Sequence, residues 1–165
     1  METATSTQTA TNDVVVIKIK EHAEKLLETL GYDSAVVSCS VVDSNSLHIA
    51  IEAGEEGRIL IGPQGTHLVA LQYIIRAILR RNIDNPVYVS VDVNGYRDKH
   101  EQQLQTLAKQ TAQKAIDAGR TIVLPPMSSS DRRIVHSILS ETEGIQTESL
   151  GEDPNRRVLI RPVML

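Results

Sequence analysis

The sequence predicts an α+β chain of two small domains, the first ordered α-β-β-α-α-β with a three-stranded sheet, the second a smaller α+β unit. Three observations carry this. Apolar residues switch from helical to alternating spacing and back between Val16 and Val93. The turn signal Asn94-Gly95 separates that series from a second one. The 165 residues also suffice for two packed cores without disulfide or metal staples. The single cysteine, Cys39, alternates with Val37 and Val41, which reads as a buried structural thiol and not a nucleophile. It fits a reducing, cytoplasmic setting.

Each element follows from spacing. Residues 1–13 read as a disordered Thr/Ser-rich tail, with neither the basic nor the apolar region of a signal peptide. Val16, Ile19, Ala23, Leu26, Leu27 and Leu30 then mark a first helix that Gly31 closes. Ser34 to Val42 and Leu47 to Ala53 alternate as two strands around the turn-like Asp43-Ser44-Asn45-Ser46. A short helix, Glu55 to Ile61, breaks at Gly62-Pro63-Gln64-Gly65, and Leu68, Leu71, Ile75, Ile78 and Leu79 mark a longer helix ending at Arg80-Arg81. Val87, Val89, Val91 and Val93 alternate as a third strand. The first domain therefore spans residues 14–95, with its helices expected on one face of the sheet.

The second domain, 96–165, opens on a long helix from Tyr96 to Gly119. A short strand, Arg120 to Leu124, is stopped by Pro125-Pro126, and Ser128 with Asp131 has the spacing of a capping box for a helix running to Glu141. Ile145 to Leu150 and Arg156 to Arg161 read as closing strands. No apolar run approaches the ~20 residues of a transmembrane helix, so no membrane insertion is expected.

Net charge is −4, which on its face argues against a phosphate-rich partner. Its distribution is uneven: residues 1–95 carry 7 basic against 12 acidic side chains, residues 96–165 carry 10 against 9. With four tyrosines and no Phe or Trp, modules that stack bases on aromatic platforms are disfavoured. A nucleic-acid binder of this composition must grip the backbone.

Two constellations can do that. Glycines at both ends of Gly62-Pro63-Gln64-Gly65 would let a nucleic-acid backbone approach, and the following helix would offer its N-terminal N–H groups to phosphate. The plainer alternative is a tight interhelical turn. Arg132 and His136, four apart on a helix, fall with Arg133 outside the apolar arc of Ile134, Val135, Ile138 and Leu139, so they can face a phosphate. The alternative there is a structural arginine and a satisfied histidine. Of Arg156 and Arg157, which enter a strand on opposite faces, at most one is expected to extend that surface together with Arg161.

The segments Gly57-Arg58-Ile59-Leu60-Ile61-Gly62-Pro63-Gln64-Gly65-Thr66, Leu68 and Leu71-Gln72-Tyr73 resemble the KH core of the bacterial Jag family. Met127-Ser128-Ser129-Ser130-Asp131-Arg132-Arg133-Ile134-Val135-His136 and Gly151-Glu152-Asp153-Pro154-Asn155-Arg156-Arg157 resemble the Arg-xxx-His domain that follows it. The resemblance covers about residues 15–163. It implies a type II KH domain, single-stranded RNA as ligand, a bacterial cytoplasmic setting, a role in RNA regulation, and a small single-KH-domain protein as a possible partner. It also implies RNA contacts from Arg58, Ile61, Gly62, Pro63, Gln64, Gly65, Thr66, Arg76 and Arg80 in the first domain and from Arg132, Arg133, His136 and Arg157 in the second. For Arg58, Arg76 and Arg80 the competing reading is a solvated helix face. The chain departs from the family in showing a short tail where an N-terminal Jag domain and linker are usual, and in lacking a basic residue between the loop glycines.

Enzyme readings find no support, since the five histidines lack metal-ligand spacing and there is no P-loop, G-x-S-x-G or dinucleotide-binding fingerprint. No cofactor is expected. The rival function is a protein-interaction module whose first domain has lost RNA binding, suggested by the uncharged loop and the acidic first half.

Overall fold

The computed structural model describes residues 3–43, 46–82 and 88–163. The chain divides into two compact units, Met1–Tyr96 and Arg97–Leu165, and its architecture is mixed α+β with two small sheets. In the first unit the elements are α1 (Thr3–Thr29), β1 (Val36–Asp43), β2 (Ser46–Glu52), α2 (Gly57–Ile61), α3 (Thr66–Asn82) and β3 (Tyr88–Val93). The expected tail, residues 1–13, leads into α1. From Thr3 its backbone is helical and continuous with α1, because a nucleated helix grows by one hydrogen bond per added residue and no Gly or Pro interrupts it before Thr29. Met1 and Glu2 of that tail, Ser44 and Asn45 of the expected turn, and Val87 of the third strand lie outside the described residues.

The sheet order is β1-β2-β3, with β1 antiparallel and β3 parallel to the central β2. Leu47, Ile49 and Ile51 alternate along β2 and are all buried, against Ile19, Ala23 and Leu27 of α1 and Leu68, Leu71, Ile75 and Leu79 of α3. Both long helices thus cover the same face. Each of these leucines and isoleucines contributes about 1.5–3 kcal/mol by leaving water. Since parallel strands need a crossover, the route from β2 to β3 runs through α2 and α3, and the Gly62–Gly65 turn joins those two helices.

Asn94, at the end of β3, ties this crossover to the sheet. Its N–H donates to Ile51 O at 2.9 Å, its Oδ1 accepts from Ala53 N–H at 2.9 Å, and its Nδ2 donates to Gly54 O at 2.7 Å. The residue is left-handed (φ 54°), a conformation asparagine tolerates better than most residues. Gly57, the first residue of α2, must lack a side chain because a Cβ there would collide with the Asn94 amide.

The second unit holds most of α4 (Tyr96–Ala118), then β4 (Ile122–Val123), α5 (Ser129–Leu139), β5 (Ile145–Leu150) and β6 (Arg157–Pro162). Its antiparallel sheet is ordered β4-β6-β5. Leu104, Ala108, Ala112 and Ala115 of α4 and Val135 and Leu139 of α5 close a core over Val158 and Ile160 of β6. Ser128 caps α5 as expected, its Oγ accepting from Asp131 N–H at 3.1 Å. The Asp131 carboxylate instead receives His100 Nε2 at 3.0 Å.

Asn94→Ala removes both amide contacts and places a Cβ residue with no side-chain oxygen at positive φ, so it should lower stability by about 1–3 kcal/mol. Urea unfolding checks this; an unchanged midpoint would show that the clasp contributes nothing.

Candidate nucleic-acid interface

In the first unit the α2–α3 turn is built for close approach. Gly62 ends α2 with φ 69° and ψ 178°, Gly65 has φ 77°, and between them Gln64 stands exposed at φ 52°. The glycines are required by two rings as well as by the backbone. A Cβ on Gly62 would enter the His67 imidazole, and one on Gly65 would lie 2.9 Å from Tyr96 Cε1. His67 is fixed by donating from Nδ1 to Ile59 O at 2.7 Å. Gly65 N–H donates to Gly62 O at 3.2 Å, and Thr66 Oγ1 donates to Pro63 O at 2.9 Å. Pro63, Gln64 and Thr66 are exposed, Gly65 is buried, and Ile61 is half-buried against the core.

The arginines around the turn differ from one another. Arg58 is exposed and paired with the equally exposed Glu55 at 3.3 Å, a contact worth little energetically. Arg80 is exposed in the last turn of α3. Arg76 is half-buried: its Nε donates to Val89 O at 2.6 Å, and its guanidinium carbon lies 4.5 Å from the centroid of the Tyr88 ring. It is an edge clasp and a stacking partner, which neither sequence alternative anticipates.

Sequence reasoning also misses Tyr73 and Tyr88. They are 75% and 62% exposed, and Val69 is 64% exposed. Val69, Tyr73, Arg76 and Arg80 follow at helical spacing along α3, so an apolar and aromatic stripe with two cations starts one turn after the Gly62–Gly65 loop. Counting aromatics hides this, because a stacking surface depends on which rings are exposed. The i, i+4 pair of apolar residues off the core arc of α3 is the available signal.

In the second unit the free placement of Arg132 is overturned. Arg132 is only 7% exposed, and its Nη1 donates to Met127 O at 2.8 Å and to Asp153 Oδ1 at 2.9 Å. The Gly151–Arg156 loop between β5 and β6 covers the first turn of α5, which a helical wheel drawn on α5 alone cannot register. His136 faces β5, its Nδ1 within 2.7 Å of Thr147 Oγ1 and its Nε2 within 2.8 Å of Ser149 Oγ. Burial, and secondarily the Arg132 charge, push its pKa down. Arg133 is exposed, Arg157 is half-buried with Nε donating to Asn155 O at 3.1 Å, and Arg161 is exposed and paired with Glu148 at 3.6 Å. Arg156 precedes β6, and its Nε is buried with no partner among the described residues.

A pair lying off the apolar arc should be removable without loss of fold. The geometry reverses that for Arg132, whose replacement by alanine should destabilise the protein by about 1.5–3 kcal/mol, the worth of hydrogen bonds to a charged group; a denaturation midpoint equal to the parent's would refute it. His136 supplies a pH dependence. Its folded pKa lies below the ordinary 6.5, so the unfolded chain binds the proton more readily, and this site withdraws stability as pH falls below about 6.5. Melting curves from pH 8 to 5 should show a steeper acid loss for the parent than for His136→Gln; parallel losses would remove His136 from the account.

The Arg-xxx-His domain family matches residues 102–162. Proteins named RNA-binding protein KhpB match most of the chain: that of Streptococcus pneumoniae (serotype 2, strain D39) is 36% identical over 146 residues, 88% of this chain and 44% of that protein. The Bacillus subtilis (strain 168) protein is 37% identical over 109 residues, 65% of this chain and 52% of that protein. The Clostridium symbiosum protein is 36% identical over 107 residues, 65% of this chain and 48% of that protein. The chain spans about half the length of these curated relatives. It is homologous to proteins named RNA-binding protein KhpB, and its second unit carries an Arg-xxx-His domain.

Proposed function

We propose that the chain is a non-catalytic binder of single-stranded RNA in which a type II KH domain, residues 14–95, clamps the strand and the Arg-xxx-His domain adds phosphate contacts. The Gly62–Gly65 loop carries this reading. Two glycines at positive φ, an exposed Pro63-Gln64 tip and the start of α3 form a backbone turn of the kind that clamps about four nucleotides in KH domains. The α-β-β-α-α-β order with a mixed sheet supports it, as do the names of the relatives.

Two refinements follow from the geometry. The bases of a strand held at Gly62–Gly65 would meet Val69, Tyr73 and the Arg76–Tyr88 pair, a surface that accepts unstacked bases and excludes a paired strand. Cations would come from Arg58 and Arg80 in the first unit and from Arg133 and Arg157 in the second, with Arg132 holding the Gly151–Arg156 loop from which Arg157 emerges. The acidic balance of residues 1–95 and the uncharged Pro63-Gln64 tip imply modest affinity and a shallow salt dependence.

Titration of labelled single-stranded and duplex RNA at several salt concentrations tests this. Single strands should bind tighter than duplex. Tyr73→Ala should weaken binding roughly tenfold, near the low end of a lost base stack, with an unchanged melting temperature. Gln64→Lys should tighten binding and steepen the log–log salt slope by about 0.7, one more neutralised phosphate on a single strand. Duplex binding as tight as single-strand binding, or indifference to both substitutions, would rule out this clamp.

A further inference from the structure

The two edges of the first sheet are treated differently. Along β3 the outward backbone is clasped by α3: Arg76 Nε donates to Val89 O at 2.6 Å, and Val91 N–H donates to Gln72 Oε1 at 3.0 Å. Along β1, which pairs with β2 on one side, no strand or side chain among the described residues bonds the outer edge from Val36 to Val42. Natural sheets defend such edges with Lys, Pro, charge or marked twist. Val36 to Val42 contains no charge and no Pro, and its one irregularity in pairing with β2 falls between Val41 and Asp43. Three of its valines are exposed, Val36 at 65%, Val41 at 52% and Val42 at 65%. In the second unit, the edge strand β5 carries Gln146 and Glu148, and the edge strand β4 has only two residues.

The seven residues Val36-Val37-Ser38-Cys39-Ser40-Val41-Val42 are also a palindrome. An antiparallel partner runs in the opposite direction, so a palindromic strand meets a second copy of itself with like side chains opposed at every position. We propose that β1 pairs antiparallel with β1 of a second copy of this chain, about a two-fold axis at Cys39. In that register Val36 faces Val42 of the second copy, Val37 faces Val41, Ser38 faces Ser40, and Cys39 faces Cys39. No like charges are opposed across the run, and valine pairs are favourable cross-strand neighbours. The exposed Val41 packs beside the buried Val37, and regular pairing spans Val37 to Val41. A two-fold contact of this kind is isologous and closes on itself, so it covers both undefended edges and leaves none for further growth. It also leaves the β3 edge free, with the α3 face and the Gly62–Gly65 loop.

Sedimentation velocity of the full chain over a concentration series should show a shift from one to two chain masses. Ser40→Lys, a charge at an exposed position of the edge, should abolish that shift without altering the circular dichroism, and its melting temperature should no longer depend on chain concentration. The register is read by cross-linking. Directly opposed Cβ atoms lie about 4.5–5.5 Å apart, within reach of a short thiol cross-linker, so Ser38→Cys and Ser40→Cys, each in a Cys39→Ser background, should give covalent dimer when mixed and far less when treated separately. A chain that stays monomeric at every concentration overturns the proposal. So does a dimer that survives Ser40→Lys, cross-linking as efficient within each variant as in the mixture, or an edge that takes up an unrelated extended peptide while the chain remains monomeric.

Discussion

The parallel pairing of β2 with β3 is the constraint from which the first unit follows. A tight turn cannot join parallel strands, so the chain must leave the sheet, cross its face and return. It does so with two helices of unequal length, α2 and α3, and where they meet there must be a break. That break is Gly62-Pro63-Gln64-Gly65. The same crossover lays α3 beside β3, where Gln72 and Arg76 satisfy the backbone of the edge strand and where Val69 and Tyr73 continue the exposed stripe that Arg76 belongs to. Topology therefore creates the loop, the helix that follows it and the exposed stripe together, and Asn94 fastens the start of α2 to the sheet.

Charge acts locally in this molecule. The overall balance is acidic, yet several cations are already engaged within the chain. Arg76 serves the β3 edge, Arg132 serves Met127 and Asp153, and Arg58 and Arg161 have carboxylate neighbours. The exposed pairs are weak and readily exchanged for another anion. Arg132 is different, because releasing it would leave a guanidinium buried without its partners. In the second unit the arginine of the Arg-xxx-His pair is thus part of the framework, and the histidine is held by two hydroxyls on β5.

Much of the architecture was legible in the residues themselves. Alternation and helical spacing located the elements within a few positions, the start of α1 excepted, because these periods report which face of an element meets a core. Gly62 and Gly65 declared a turn at positive φ that itself carries no side chain, and Ser128 declared the start of α5. What periodicity could not report was any contact between elements distant in sequence. Tyr88 stacks on Arg76, one helical turn from the exposed Tyr73, only because β3 returns beside α3. Arg132 is polar and off the apolar arc of its own helix, yet buried, because a loop about twenty residues later folds over it.

The sequence by itself determined the division into two α+β units, the order of their elements and the position of the glycine-bounded turn, since each depends on local backbone preference and on the period of apolar residues. Only the tertiary structure decided which polar side chains remain open to a ligand. That choice rests on hydrogen-bond partners and burial, which are set by residues far apart in the chain and leave no periodic trace in it.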